Sequence, residues 1–309
     1  MTKKNVLITG ATGVTGGHAL KHLIRGDLHV RALVRRKDDR AKALEQMGVE
    51  ICTGDISNSA DVGAALSDVD RAYFVYPIRP GLVSAAEKFA EAAQAAGVQY
   101  IVNMSQISAR QDATSQAALA HWLAERVLDR SGIAVTHLRP TFFAEWMTRT
   151  APMLARGDTI YLPFGGGFHA PITGADQGRV IAALLASPDL HSGKTYTLVG
   201  RKEMAPEEMV TELGKVLGRD LSFQQISATD FCVPIKQQIQ TMHPDASDAD
   251  LIGQLTEIDF LAQHLTEVAK DYAKGMFGGV NTTVEDVTGV PAQSLEAFYR
   301  ENLDMFRRP

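Results

Sequence analysis

Residues 6–17 run Val6-Leu7-Ile8-Thr9-Gly10-Ala11-Thr12-Gly13-Val14-Thr15-Gly16-Gly17, and the reading of this stretch decides the fold. A short apolar run breaks into glycines at 10, 13 and 16. Ala19, Leu20, Leu23 and Ile24 then recur at helical spacing up to Gly26. Strand, glycine turn and helix in that order are the context in which a glycine triplet means dinucleotide binding. Glycine lets the backbone approach a pyrophosphate, and the helix N-terminus offers unpaired N–H groups and the positive end of its dipole. Gly10, Thr12, Gly13, Val14, Thr15 and Gly16 are therefore candidate cofactor residues.

The rhythm set by that unit continues. Strands are expected at Asn5–Thr9, Leu28–Val34, Val49–Cys52, Arg71–Tyr76, Tyr100–Met104 and Ala134–Leu138, with helices between them, among them Val83–Ala96 and one capped by Ser115. Such alternation gives βαβ crossovers and a parallel sheet. Beyond Pro140 it loosens. A helix is expected over Phe143–Ala155, strands at Thr159–Leu162, Lys194–Val199 and Leu221–Ile226, and mostly helix from Asp230, with polar breaks near His243–Ser247 and Gly278–Thr282. The expected fold is α/β: a Rossmann-type doubly wound parallel sheet with a smaller C-terminal α/β substrate subdomain. Its division is 1–142 for the NAD(P)-binding domain and 143–309 for a mostly helical, intimately packed substrate-binding part whose strands are free to return to the main sheet.

Composition narrows the function. The chain has 309 residues, 45% hydrophobic and 22% charged, the balance of a globular protein. A net charge of −5 gives no basic field to attract nucleic acid. Cys52 and Cys232 make neither a disulfide framework nor a zinc site, so no metal is expected and a reducing cytoplasm is the natural compartment. The apolar run after Met1-Thr2-Lys3-Lys4 is shorter than a secretory core, and none approaches the ~20 residues of a membrane span. The expected partner is a small-molecule substrate, with no nucleic acid and no membrane, in a monomer or homodimer.

The end of the second strand carries Arg35 and Arg36 where an NAD enzyme has an acid for the ribose 2′-hydroxyl. Two guanidinium groups there suit a 2′-phosphate, so the cofactor expected is NADP(H). Asp55 and Ile56 follow the third strand and either flank adenine or form a turn with Asp55 as cap. Tyr76 and Pro77 close the fourth strand beside the cofactor ribose. Ser105 and Gln106 follow the fifth and are placed to bond substrate or cofactor. Pro140 and Phe142 close the sixth against the cofactor.

Gly10–Gly16, Gly54-Asp55, Asn103-Met104-Ser105, Ser131-Gly132-Ile133 and Leu138-Arg139-Pro140-Thr141-Phe142-Phe143 together resemble the NmrA-like family of atypical short-chain dehydrogenases. The resemblance runs on through Pro171-Ile172-Thr173, Asp176 and Gly193-Lys194-Thr195-Tyr196. Within it, His121-x-x-x-Glu125 resembles the branch of triphenylmethane-dye and NADPH:quinone reductases. The family includes reductases and also NADP(H)-sensing regulators with little or no turnover.

The resemblance also brings out a departure. Active short-chain dehydrogenases use Tyr-x-x-x-Lys, the Tyr as proton donor. Alignment on Glu125–Leu128 and Ser131-Gly132 puts Ala117 at the Tyr position and His121 at the Lys position. Alcohol oxidation by that route then has no group to take the hydroxyl proton. Hydride addition to a quinone, an iminium dye or another conjugated acceptor survives the loss, because it depends mostly on stacking against the nicotinamide. His121 is the candidate catalytic residue, either holding the nicotinamide ribose or giving a proton, with a packed core histidine as the alternative. Tyr76, Gln106, Phe143, Trp146, Met147 and Phe168 are candidates for a flat apolar substrate; Phe143, Trp146 and Met147 would share a helical face, with ordinary core packing as the alternative. The expected function is NADPH-dependent reduction of a conjugated small molecule; the alternative is a redox-sensing binding protein.

Overall fold

Val6 and Ile8 face one side of the first strand and Leu7 the other, and all three are fully buried. A strand apolar on both faces needs cover on both, which βαβ crossovers supply. The computed structural model describes residues 3–242 and 248–307. The strands are β1 (Lys4–Ile8), β2 (Leu28–Val34), β3 (Glu50–Thr53), β4 (Arg71–Phe74), β5 (Tyr100–Met104), β6 (Ala134–Pro140), β7 (Thr159–Leu162), β8 (Thr195–Leu198) and β9 (Ser222–Gln225). Among the described residues seven of them form one parallel sheet in the order β3-β2-β1-β4-β5-β6-β8, and β7 pairs with β9 apart from it.

The crossover helices are α1 (Val14–Leu23), α2 (Asp39–Gln46), α3 (Ser59–Leu66), α4 (Leu82–Ala95) and α5 (Gln116–Asp129). Beyond β6 come α6 (Ala151–Leu154), α7 (Gly174–Ala186), α8 (Pro206–Leu217), α9 (Ala228–Met242), α10 (Asp248–Ala273), α11 (Thr283–Thr288), α12 (Leu295–Glu301) and α13 (Leu303–Arg307). One face of the sheet is covered by α1 and α7, through Leu20, Leu23, Val180 and Leu184. The other is covered by α3, α4 and α5, through Val62, Leu66, Phe89 and Leu128. Thus α7 and β8, both beyond residue 142, complete the layers begun by β1. A separate core around Met147, Leu162, Leu213, Tyr272 and Phe298 holds the C-terminal elements together.

Local chemistry sets the boundaries. Ser115 Oγ accepts from the Ala118 N–H and starts α5, and Thr173 does the same for Asp176 at the start of α7. The stretch expected as one helix over 143–155 is instead a 3-10 turn at Ala144–Thr150 followed by α6. The Thr148 and Thr150 hydroxyls donate to the carbonyls three residues back, and Pro152 has no N–H to give. The polar break expected near His243–Ser247 lies outside the described residues.

Candidate active site

The strand order reverses between β1 and β4, the place where a doubly wound sheet opens a crevice at its carboxyl edge. A cleft of about 610 Å³ lies there, lined from the ends of β1, β2, β3 and β4. Gly10 has φ +59°, and a Cβ on it would stand 2.5 Å from Val75 Cγ1. A Cβ on Gly16 would stand 2.4 Å from the Gly10 carbonyl oxygen, so helix and turn touch backbone to backbone. Gly13, the residue before α1, lines the cleft and makes no side-chain cap bond, so the N–H groups of the first turn have no side-chain acceptor there.

Arg35 and Arg36 are exposed, line the cleft and make no ion pair among the described residues, whereas nearby Arg40 is held by Asp38. Thr12, Gly13, Ile56 and Pro77 line the same space. Asp55 turns back on its own loop, its carboxylate accepting from the Ser57 N–H at 2.8 Å and the Ser57 hydroxyl at 2.6 Å. Those bonds, with Arg79 and Arg35 nearby, hold it below the usual carboxylate range against its partial burial. The Thr15 hydroxyl points inward to Tyr73, 2.8 Å from the phenol oxygen. Val14 lies beside a second cleft, between α1 and the C-terminal helices. The Tyr76 ring packs in the core under α4, and its hydroxyl donates to the Pro80 carbonyl.

Further along the edge, Ser105 Oγ, Gln106 Nε2 and Thr141 Oγ1 are buried without a partner among the described residues. Buried polar atoms are nearly always bonded, and these three follow the ends of β5 and β6. Pro140 ends β6 and accepts from the Ile107 N–H, which draws these two strand ends together. Phe142 does not face this edge: it stacks between Phe164 and Phe277, at ring centroids of 4.5 Å and 4.9 Å.

His121 sits on α5, buried, one turn before Glu125, which Arg139 grips with two nitrogens. It makes no side-chain hydrogen bond among the described residues. Burial pushes its pKa down to about 4, and the neighbouring His264 of α10 adds to this against Glu125. His264 is itself lowered to about 4 by burial, and its Nδ1 lies 2.7 Å from the Ser115 hydroxyl. Both imidazoles are neutral at pH 7. The other aromatic candidates diverge. Phe143 packs toward the main core, Met147 into the C-terminal core and Trp146 against Phe231 of α9, while Phe168 is 53% exposed. Phe143 precedes the 3-10 turn in an extended conformation, and a turn of three residues no longer aligns Met147 with the residue four before it.

Arg79 and His264 carry no signal in the sequence around them. Both are placed by tertiary contacts: Arg79 lines the cleft from the turn after β4, and His264 reaches α5 from 149 residues beyond Ser115. Among the described residues no cluster of three or more His, Cys, Asp or Glu is arranged to hold a metal ion, and no helix is long and apolar enough to cross a membrane.

Fold and cleft together define a dinucleotide-binding protein of the Rossmann type. The profile of the NmrA-like family matches residues 2–295, and the chain belongs to that family. It is similar to an NAD(P)H azoreductase of Xenophilus azovorans, 29% identical over 97% of this chain and 99% of the relative. Its structure resembles the NADPH-dependent quinone oxidoreductase 2 of Escherichia coli complexed with NADPH, with TM-score 0.78, 25% identity and coverage of 97% and 99% of the two chains. The fold is also that of the Citrobacter triphenylmethane reductase complexed with NADP(H), with TM-score 0.75, 19% identity and coverage of 96% and 99%.

Proposed function

We propose that this protein is an NADPH-dependent reductase of a flat, conjugated small molecule such as a quinone, an azo or triphenylmethane dye, or an enone. The observation that carries the reading is the cofactor cleft at the carboxyl edge of the sheet; on α5 the family resemblance puts Ala117 at the acid position, and His121, one turn on, is buried. The residues of the cleft fit the cofactor. Open N–H groups of α1 meet the pyrophosphate, Arg35 and Arg36 meet a 2′-phosphate, and Ile56 and Pro77 line the adenosine end. NADPH, when bound there, would supply the hydride for the acceptor. Ser105, Thr141 and Gln106, whose side chains carry buried polar atoms without a partner among the described residues, are the candidates to orient cofactor and acceptor after β5 and β6. His121 remains the candidate to donate a hydrogen bond as electrons move onto the acceptor's oxygen or nitrogen, which as a neutral ring it would do without carrying charge, and solvent would supply the final proton. The azoreductase and the quinone oxidoreductase support the same class of acceptor.

The test is NADPH oxidation followed by absorbance with purified protein and a panel of quinones, azo dyes, triphenylmethane dyes and enones, against a simple aliphatic ketone. Turnover is expected with the conjugated acceptors and not with the ketone. Absence of acceptor-dependent oxidation across the panel would sink the proposal.

A further inference from the structure

Arg79 occupies an unusual position. It lines the cofactor cleft from the turn after β4, its guanidinium 5.1 Å over the Tyr76 ring. One N–H reaches Glu257 of α10 at 3.4 Å, and Nε is buried with no partner among the described residues. Burial opposes its charge, but Tyr76, Glu257 and Asp55 outweigh that and hold it protonated. We infer that Arg79 is a cofactor-binding residue that closes over the adenine base, and that through Glu257 it couples occupancy of that end of the cleft to the seating of α10 against α5. The inference rests on the reading that the cleft holds NADPH.

Adenine is favoured over a phosphate by the neighbours. Arg35 and Arg36 already stand where a 2′-phosphate would be read, at the end of β2. Arg79 instead follows β4 with the Glu257 carboxylate 3.4 Å from one of its nitrogens, and that carboxylate weakens its attraction for another anion. A planar guanidinium already stacked on one ring matches the π-face of a base. The coupling follows from α10. Glu257 and His264 are seven residues apart, two turns of one helix, so they project from the same face. The same helix bonds the start of α5 through Gln263 to Thr114 and Gln116, and through Glu267 to the Thr114 hydroxyl. What Glu257 feels at the adenine end reaches His264 and hence the surroundings of His121 through a single rigid element.

The experiment pairs fluorescence titration of wild type, Arg79→Met, Arg79→Lys and Arg35→Ala with NADPH and with NADH, and hydrogen exchange of residues 251–268 with and without NADPH. Both Arg79 variants are expected to weaken NADPH and NADH by the same factor, about three- to tenfold, while Arg35→Ala weakens NADPH selectively. NADPH is expected to slow exchange in α10 of the wild type and to lose that effect in Glu257→Gln. The inference is overturned if the Arg79 variants weaken NADPH alone or neither nucleotide, or if NADPH slows α10 equally in wild type and Glu257→Gln. Should the wild type bind neither nucleotide, it is the cofactor reading underneath that has failed.

Discussion

Arg35 and Arg36 end β2 exposed and without an ion pair among the described residues, which leaves both guanidinium groups available to a dianion. Charge-assisted bidentate bonds to phosphate are among the strongest a side chain makes. Arg35→Ala should raise the Kd for NADPH by about tenfold or more and leave that for NADH nearly unchanged, measured by titration of the intrinsic nucleotide fluorescence. These two residues were legible because a basic pair at a strand end is a local pattern. His121 was legible as a position on α5, but its protonation state was not. That state follows from burial and from His264, brought there by α10. With His121 neutral across the working range, kcat/KM should be flat from about pH 5.5 to about pH 8 and fall only toward pH 4. A profile that bends near pH 6.5 would place His121 in water.

At the scale of elements, the glycine turn and the α5–β6 contact hold the edge in register. Gly16→Ala would push a Cβ into the Gly10 carbonyl, a backbone group that cannot yield without moving the turn. The expected result is a loss of about 1–3 kcal/mol of stability together with NADPH binding, read by denaturant unfolding and titration. Glu125, fully buried, pins α5 to β6 through Arg139 Nε at 2.8 Å. Glu125→Ala strands a half-buried guanidinium and should cost about 3–5 kcal/mol, whereas a conservative Glu125→Gln should cost less. Where sequence periodicity failed, at residues 143–155, hydroxyl-to-carbonyl bonds and Pro152 replaced one helix by a 3-10 turn and a short α6. Apolar spacing cannot register that competition, because Thr148 and Thr150 read as ordinary surface residues.

Among the described residues, three of the buried histidines, His121, His264 and His169, are lowered to about 4, about 4 and about 3 chiefly by burial. In each, the folded pKa lies below the unfolded value near 6.5, so the unfolded chain binds more protons below that pH. Stability is therefore full above about pH 6.5 and declines as pH falls toward 4, by at most about 1.4 kcal/mol per pH unit for each histidine. Thermal melts from about pH 7 to about pH 4.5 should show Tm falling steadily, and replacing His169 by Gln should make the fall shallower.

Sequence alone determined the sheet, the glycine turn and the place of the basic pair at the end of β2. Each rests on spacing along the chain, such as glycines at 10, 13 and 16, two-sided apolar strands, and arginines at the end of β2. Only the tertiary structure decided what surrounds His121, that Phe142 is stacked between two rings, and that Arg79 and Glu257 meet across 178 residues. Those facts depend on how the helices beyond β6 pack over the sheet edge. Burial there sets protonation and removes polar atoms from water, and no local pattern encodes a contact between distant segments.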